Sequence, residues 1–224
     1  MEGMPMIDHN VFQKKCDDFF KEYTSAKKDL SRLEKLVRQH IIPIEKEFSS
    51  GSPIECRTGC AHCCQLRVVA FPHELIAIYL YIKKSFSPDK VLEIKSSVKK
   101  QFELIRRFTQ DEHFTTNVPC PLLEDNKCSV YPVRPLSCAG YHSASEAACK
   151  YSNEHPEIVE IEKAHIPMVA GIKSVQEIQV YAVLAVLQAI GDDSEQYELI
   201  KSLHGIFQDP TVIQRWVKGR KFQK

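Results

Sequence analysis

The stretch Cys56-Arg57-Thr58-Gly59-Cys60-Ala61-His62-Cys63-Cys64 places four cysteines within a few residues of one another. If residues 60–64 form a helical turn, Cys60, Cys63 and Cys64 stand at i, i+3 and i+4 and their sulfurs converge on one face. Convergence matters because a single thiolate cannot replace the water shell of a cation. Gly59, just before Cys60, frees the backbone for a tight approach to a metal or its sulfides. A second group follows: Cys120, Cys128, Cys138 and Cys149. Between its members, Leu122-Leu123, then Glu124-Asp125-Asn126-Lys127, then Val130-Tyr131 reads as a short hairpin leading into a proline-containing loop. Cys120 and Cys128 flank that hairpin, which would bring two distant sulfurs together. Four thiolates suffice for one tetrahedral zinc or one 4Fe–4S cluster, so eight could serve two centres, or one centre with spectators. The ninth cysteine, Cys16, stands alone and reads as a packing residue or a free thiol.

Outward from the cysteines the chain reads as helix. Leu30, Leu33, Val37, Ile41, Ile44 and Phe48 step by three and four, so residues 11–48 form one long helix or two in succession, with a kink or a restart expected at Pro43. Ser49-Ser50-Gly51-Ser52-Pro53 is a loop. Pro72 sits at a first helical position before Leu75, Tyr79, Ile82 and Phe86. Ser87-Pro88 breaks that helix, and Val91, Ile94, Val98, Phe102, Ile105 and Phe108 mark the next. Ser174-Val175-Gln176-Glu177 has capping-box spacing and Gly191 is a stop. Asp209-Pro210 opens a last helix carrying Trp216, and Lys218 to Lys224 reads as a frayed, solvated tail.

Composition bounds the function. The 224 residues are 43% hydrophobic and 26% charged, with a formal net charge of +1. That balance makes no electrostatic case for nucleic acid or an anionic membrane. Only eight glycines occur, which favours helix over turn-rich β structure. Met1 to Asp8 lacks the pattern of a secretory signal, and the apolar run Val180 to Gln188 is far short of the ~20 residues of a membrane span. A cytoplasmic location is therefore expected, where thiols stay reduced unless they bind metal or do redox chemistry. Inert, buried cysteines would be dispersed rather than set at Cys-x3-Cys-x2-Cys-Cys.

Taken with Cys120-Pro121-Leu122-Leu123 and Cys128-Ser129-Val130-Tyr131-Pro132-Val133-Arg134-Pro135-Leu136-Ser137-Cys138, the opening run resembles the YkgJ-type cysteine-cluster family, the zinc- or iron-chelating CxxCxxCC domain. The resemblance spans roughly residues 50–150. It implies that Cys56, Cys60, Cys63, Cys64, Cys120, Cys128 and Cys138 are metal ligands, with Cys149 a further candidate. Tyr131 and Arg134 also match: Tyr131 packs or lines the site, and Arg134 offsets cluster charge or bonds backbone carbonyls. The family usually carries arginine after the cysteine matching Cys138, where this chain has Ala139. A bacterial flagellin lysine N-methylase contains this kind of domain.

Three readings of function follow: a metal-binding module, an iron–sulfur protein in electron transfer or redox sensing, and an S-adenosylmethionine-dependent enzyme of methyltransferase or radical type. Cys56-x3-Cys60-x2-Cys63 has radical-enzyme spacing, but the βα alternation of a barrel is missing around it. No Gly-x-Gly-x-x-Gly loop follows a strand. Of the histidines, His62 should point away from the sulfurs if 60–64 is helical, and His142 is better placed. The expected fold is mainly α: a helical domain around a cysteine-rich metal-binding loop with a small β-hairpin. Its parts are an N-terminal helical segment (1–49), a zinc- or iron-chelating cysteine domain (50–150), and C-terminal helices (151–224) packing on that domain. Catalytic and cofactor residues stay unassigned beyond the metal, and the apolar helix faces suit a core, a protein partner or a homo-oligomer equally.

Overall fold

The computed structural model describes residues 8–49, 53–158 and 166–223, with Gln110 described by its backbone alone. The first seven residues and residues 50–52 of the expected loop lie outside that set. Helix α1 runs His9–Lys28, where the Asp8 carboxylate accepts the N–H groups of Asn10 (2.8 Å) and Val11 (3.3 Å). The chain then breaks at Asp29, which is extended (φ −135°) and whose carboxylate accepts from Ser31 N–H and Oγ–H at 3.1 and 2.7 Å. After a 3-10 turn at Leu30–Arg32, helix α2 runs Leu33–Phe48, with Pro43 inside it. So the two-helix reading holds, but the break belongs to Asp29 rather than Pro43. An aspartate that satisfies nearby backbone N–H groups outcompetes helix locally.

Strand β1 (Val69–Ala70) leads into α3 (Pro72–Ser85), with Pro72 in its first turn as expected. Ser87 Oγ accepts Lys90 N–H (3.3 Å) to start α4 (Pro88–Ile105). A short α5 (Gln110–Thr115) follows, capped reciprocally by Thr109 and Glu112. The hairpin is present: β2 (Leu123–Glu124) pairs antiparallel with β3 (Lys127–Cys128). Its two loop residues, Asp125 and Asn126, both have positive φ (48° and 59°), the pattern of a two-residue hairpin turn. Next come one turn of helix α6 (Leu136–Ala139), α7 (Glu146–Glu154) and α8 (Ala170–Ala189). Strand β4 (Tyr197–Glu198) pairs antiparallel with β1, and α9 (Leu199–Gln208) and α10 (Thr211–Val217) complete the order. The fold is mainly α with small two-stranded sheets, as the glycine-poor composition predicts.

Helix α8 begins at Ala170, so Ser174 lies inside it and is no cap. The bridge Ser143↔Met168 and the bond from Val169 N–H to the His142 carbonyl (3.0 Å) hold the chain where the helix starts. Gly191 does end it, at φ +66°. At 20 residues α8 is long and apolar enough to cross a membrane by length and composition, more than the run Val180 to Gln188 suggests. Here it packs against α1 and α2 and buries Ile172, Ala182, Val183, Val186 and Leu187. The C-terminal tail is docked rather than frayed through Gln223. Phe222 is buried and donates its N–H to Asp193 (2.7 Å), while Gln223 bonds Ser202 (2.9 Å). One large apolar ring supplies what the basic residues around it hide in a composition count.

Two histidines, His40 and His73, are buried side by side among the helices. His73 is fully buried against Phe19, Tyr23 and Phe71, with neither ring nitrogen bonded, and His40 packs on Phe19 and His73. Burial, with Lys15 adding to it, holds His40 down to about 4; burial and then His40 hold His73 well below the usual range. Both rings fold neutral, so on acidification the unfolded chain binds protons that the folded chain refuses. Their contribution is whole above pH ~6.5 and is lost as pH falls below that value, to about 4 for His40, at up to about 1.4 kcal/mol per pH unit for each ring. Melting curves at pH 7.5, 6 and 5 should show that fall, and His73→Leu should flatten it. An equally steep fall in the variant would remove His73 from the explanation.

Candidate metal centre

Arg57 to Cys60 is a turn closed by Cys60 N–H on the Arg57 carbonyl (3.0 Å), with Gly59 at φ +91°. No atom lies within 4 Å of where a Gly59 side chain would start, so the glycine serves the turn and not a close approach. The next element is a 3-10 turn, His62–Gln65, and Ala61 before it is not helical (φ −128°). Cys60 therefore does not join Cys63 and Cys64 on one helical face. The Gly59 turn and Ala61 uncouple it.

Cys64 is joined to the second group by backbone. Its carbonyl accepts Cys120 N–H at 2.8 Å, and the Gln65 carbonyl accepts Val118 N–H at 3.1 Å. The β2–β3 hairpin then sets Cys128 opposite Leu123. Cys138 comes from α6, whose first residue, Leu136, donates its N–H to Glu74 Oε1 (2.8 Å) while Glu74 Oε2 accepts Phe71 N–H (2.8 Å). Ser137 Oγ–H bonds the Val69 carbonyl (2.8 Å), tying α6 to β1 as well. The outcome is a four-thiol pit. Each of Cys64, Cys120, Cys128 and Cys138 lies within electrostatic reach of the other three.

The remaining thiols fall elsewhere. Cys56 Sγ accepts Ser143 N–H (3.4 Å), and Cys149, on α7, lies within reach of Cys56 and Cys60. Cys63 stands between the groups. It bonds Cys64, feels Cys138 and Cys56, and lines a small cavity with Cys149, Tyr141 and His62. That cavity, of about 10 Å³, has room for a single water and not for a nucleoside cofactor. Cys16, on α1, responds to burial and to Asp17 rather than to the cluster.

Electrostatics show what the pit lacks. Burial, reinforced by its sulfur neighbours, pushes Cys120 up to about 12 and Cys138 well above the usual thiol range; Cys128 is raised mainly by burial. Cys64 goes the other way, to about 7, because it accepts a hydrogen bond from Cys63, whose own proton is held more tightly for the same reason. Buried thiols crowded together hold their protons until a cation takes their place, and a coordinating thiol then ionises outright. Four partly buried thiols gathered from three segments fit a thiophilic cation.

Arg134 is 5% exposed and donates to the Tyr131 carbonyl (2.8 Å) and to Glu45 Oε1 (3.3 Å). Its guanidinium carbon lies 3.6 Å from the Tyr131 ring centroid, and its charge opposes the rise at Cys128. The carbonyl-bonding reading of Arg134 is met, while Tyr131, 53% exposed, covers the arginine rather than lining the pit. Ala139, the residue after Cys138, is fully buried in the core. The histidines reverse their expected ranking. His142 packs on Phe48 with Nδ1 unbonded, whereas His62 lies beside Cys60 and Glu146. Sequence reasoning missed Glu74 and Glu146 entirely; Glu74 sits in an apolar run, and a charge that survives there is the one available signal.

Residues 55–175 match the model of the CxxCxxCC family, described as "Putative zinc- or iron-chelating domain". No curated protein and no solved structure matches the chain. The matched span runs beyond the 50–150 of the sequence resemblance, into the first turns of α8. The structure supplies the reason: Ala144 N–H on the Pro167 carbonyl (2.9 Å) and the Ser143↔Met168 bridge stitch the segment after Cys138 to that helix. More than half of the chain lies within the match, and every cysteine but Cys16 falls inside it; the chain belongs to the CxxCxxCC family.

Proposed function

We propose that the protein binds a zinc or iron centre through Cys64, Cys120, Cys128 and Cys138. The meeting of three separate segments carries the reading: the Cys64 carbonyl holds Cys120 N–H, the β2–β3 hairpin returns Cys128 towards them, and α6 brings Cys138 within electrostatic reach of all three. The family description supports the coarser statement, that the domain chelates zinc or iron. Bound there, the cation supplies a cross-link between the 3-10 turn, the hairpin and α6, and in iron–sulfur form it would also carry an electron. The chain's own residues do the rest. Glu74 and Ser137 hold α6 in place, the Cys64 carbonyl positions Cys120, and Arg134 offsets the negative charge that four thiolates leave on a divalent centre.

Protein purified without air should carry at least one metal centre per chain. Iron with sulfide and a broad band near ~400 nm would assign a cluster, and colourless protein with zinc a single ion. Cys128→Ser should lose that centre. Metal-free wild-type protein with freely reactive thiols would overturn the reading.

A further inference from the structure

The geometry points to a second metal site on the α7 side of the loop, with Cys60, His62 and Glu146 as its donors. It lies outside the four-thiol pit and does not depend on it. The Cys60 sulfur, a His62 ring nitrogen and a Glu146 carboxylate oxygen lie within 4.8 Å of one another. Each donor is held by a different device. Cys60 ends the Gly59 turn, and His62 opens the 3-10 turn with Asn153 Nδ2 3.5 Å from its Nδ1. Glu146 is the first residue of α7, where Ser145 Oγ accepts Ala148 N–H (3.1 Å) and Glu55 Oε2 accepts Glu146 N–H (2.6 Å). Helix α7 packs on the 3-10 turn, which keeps the carboxylate near the other two.

The donor chemistry suits one class of ligand. Thiolate, imidazole and carboxylate together favour a borderline divalent ion, Zn²⁺ or Fe²⁺, over a hard ion such as Mg²⁺ or Ca²⁺. Three protein donors leave a fourth position open, the arrangement of zinc sites that hold water or an exogenous ligand. All three residues are partly exposed, so ions can reach them. Glu146 now pairs with Arg57, a largely exposed side chain that can swing into solvent when a cation replaces it. Cys56 and Cys149 lie within electrostatic reach of Cys60 and Glu146.

The test is a Zn²⁺ titration, repeated with Co²⁺, of full-length protein stripped by chelator and kept reduced. Wild type should take up two equivalents. His62→Ala, on a partly exposed turn, should take up one, with a tetrathiolate cobalt spectrum. Cys128→Ser should also take up one, with a spectrum of mixed sulfur, nitrogen and oxygen donors. Far-ultraviolet circular dichroism checks that both variants keep wild-type helix content. One equivalent in wild type, kept by His62→Ala and abolished by Cys128→Ser, would overturn the second site and leave the four-thiol reading standing. The reverse pattern would overturn the four-thiol reading alone, and two equivalents retained by His62→Ala would overturn the donor assignment.

Discussion

Replacing Cys120 with serine is expected to empty the four-thiol pit and lower the melting temperature by roughly 8–16 °C. The magnitude follows from linkage. A ligand present at a thousand times its dissociation constant stabilises the fold that binds it by about 4 kcal/mol. For a chain of this length each kcal/mol is worth about 2–4 °C. The structure says why one sulfur carries that much. Cys120 is held by its N–H bond to the Cys64 carbonyl and sits at the foot of the β2–β3 hairpin, so its loss takes away the donor that links the 3-10 turn to the hairpin. A hydroxyl there is a poor ligand for a thiophilic ion. A chelator provides the control: wild type without metal should melt near the serine variant, and the difference between the two should nearly vanish. Cys16→Ser, on α1, should change neither metal content nor melting. Wild-type metal content and stability in Cys120→Ser would refute the account.

Glu74→Ala is expected to cost about 3–5 kcal/mol and to weaken metal retention as well. Glu74 is 2% exposed, and its two oxygens accept Phe71 N–H and Leu136 N–H, each at 2.8 Å. Removing the side chain orphans two backbone donors, at least one of them buried, at roughly 1–3 kcal/mol each, and leaves a void besides. Leu136 opens the helical turn that carries Cys138, so the loss is transmitted to a proposed ligand. Glu74→Gln keeps one acceptor and should fall between wild type and alanine on both readouts. Chemical denaturation measures the first effect and metal retention against a competing chelator the second. An alanine variant within 1 kcal/mol of wild type, with unchanged retention, would show that α6 is held by other contacts.

Glu74 is also a carboxyl in an expensive place. Burial pushes it up to about 7, opposed by its two backbone bonds. A carboxyl raised in the fold favours the folded state at low pH, opposite in sign to the two buried histidines. Its share of stability is whole below pH ~4.5 and declines as pH rises toward about 7. Glu74 therefore offsets part of the acid lability that His40 and His73 confer.

Much of the architecture could be read from residue patterns. The periodicity of Leu33, Val37, Ile41 and Ile44, the prolines at 72 and 88, and the glycine at 191 all report local backbone preferences, and each does its expected work. The two-residue hairpin turn is of the same kind, since aspartate and asparagine tolerate positive φ. Where the pattern misled, a nonlocal or side-chain interaction was responsible. Asp29 breaks the first helical stretch by bonding Ser31, the Ser143↔Met168 bridge starts α8 ahead of its apparent cap, and Phe222 draws a basic tail onto the core.

The cysteine spacing alone pointed to two groups of thiols, because clustering in sequence guarantees nearness in space over a few residues. It could not say which thiol sits with which. Cys63 and Cys64 are neighbours in sequence, yet Cys64 faces the hairpin and α6 while Cys63 lines the cavity beside Cys149. Cys60 leaves the group its spacing suggests and meets His62 and Glu146 instead. Those partnerships depend on Ala61 leaving the helical region, on one hydrogen bond between Cys120 and the Cys64 carbonyl, and on the packing of α7 against the 3-10 turn. Contacts of that kind arise from long-range packing, which residue spacing does not encode.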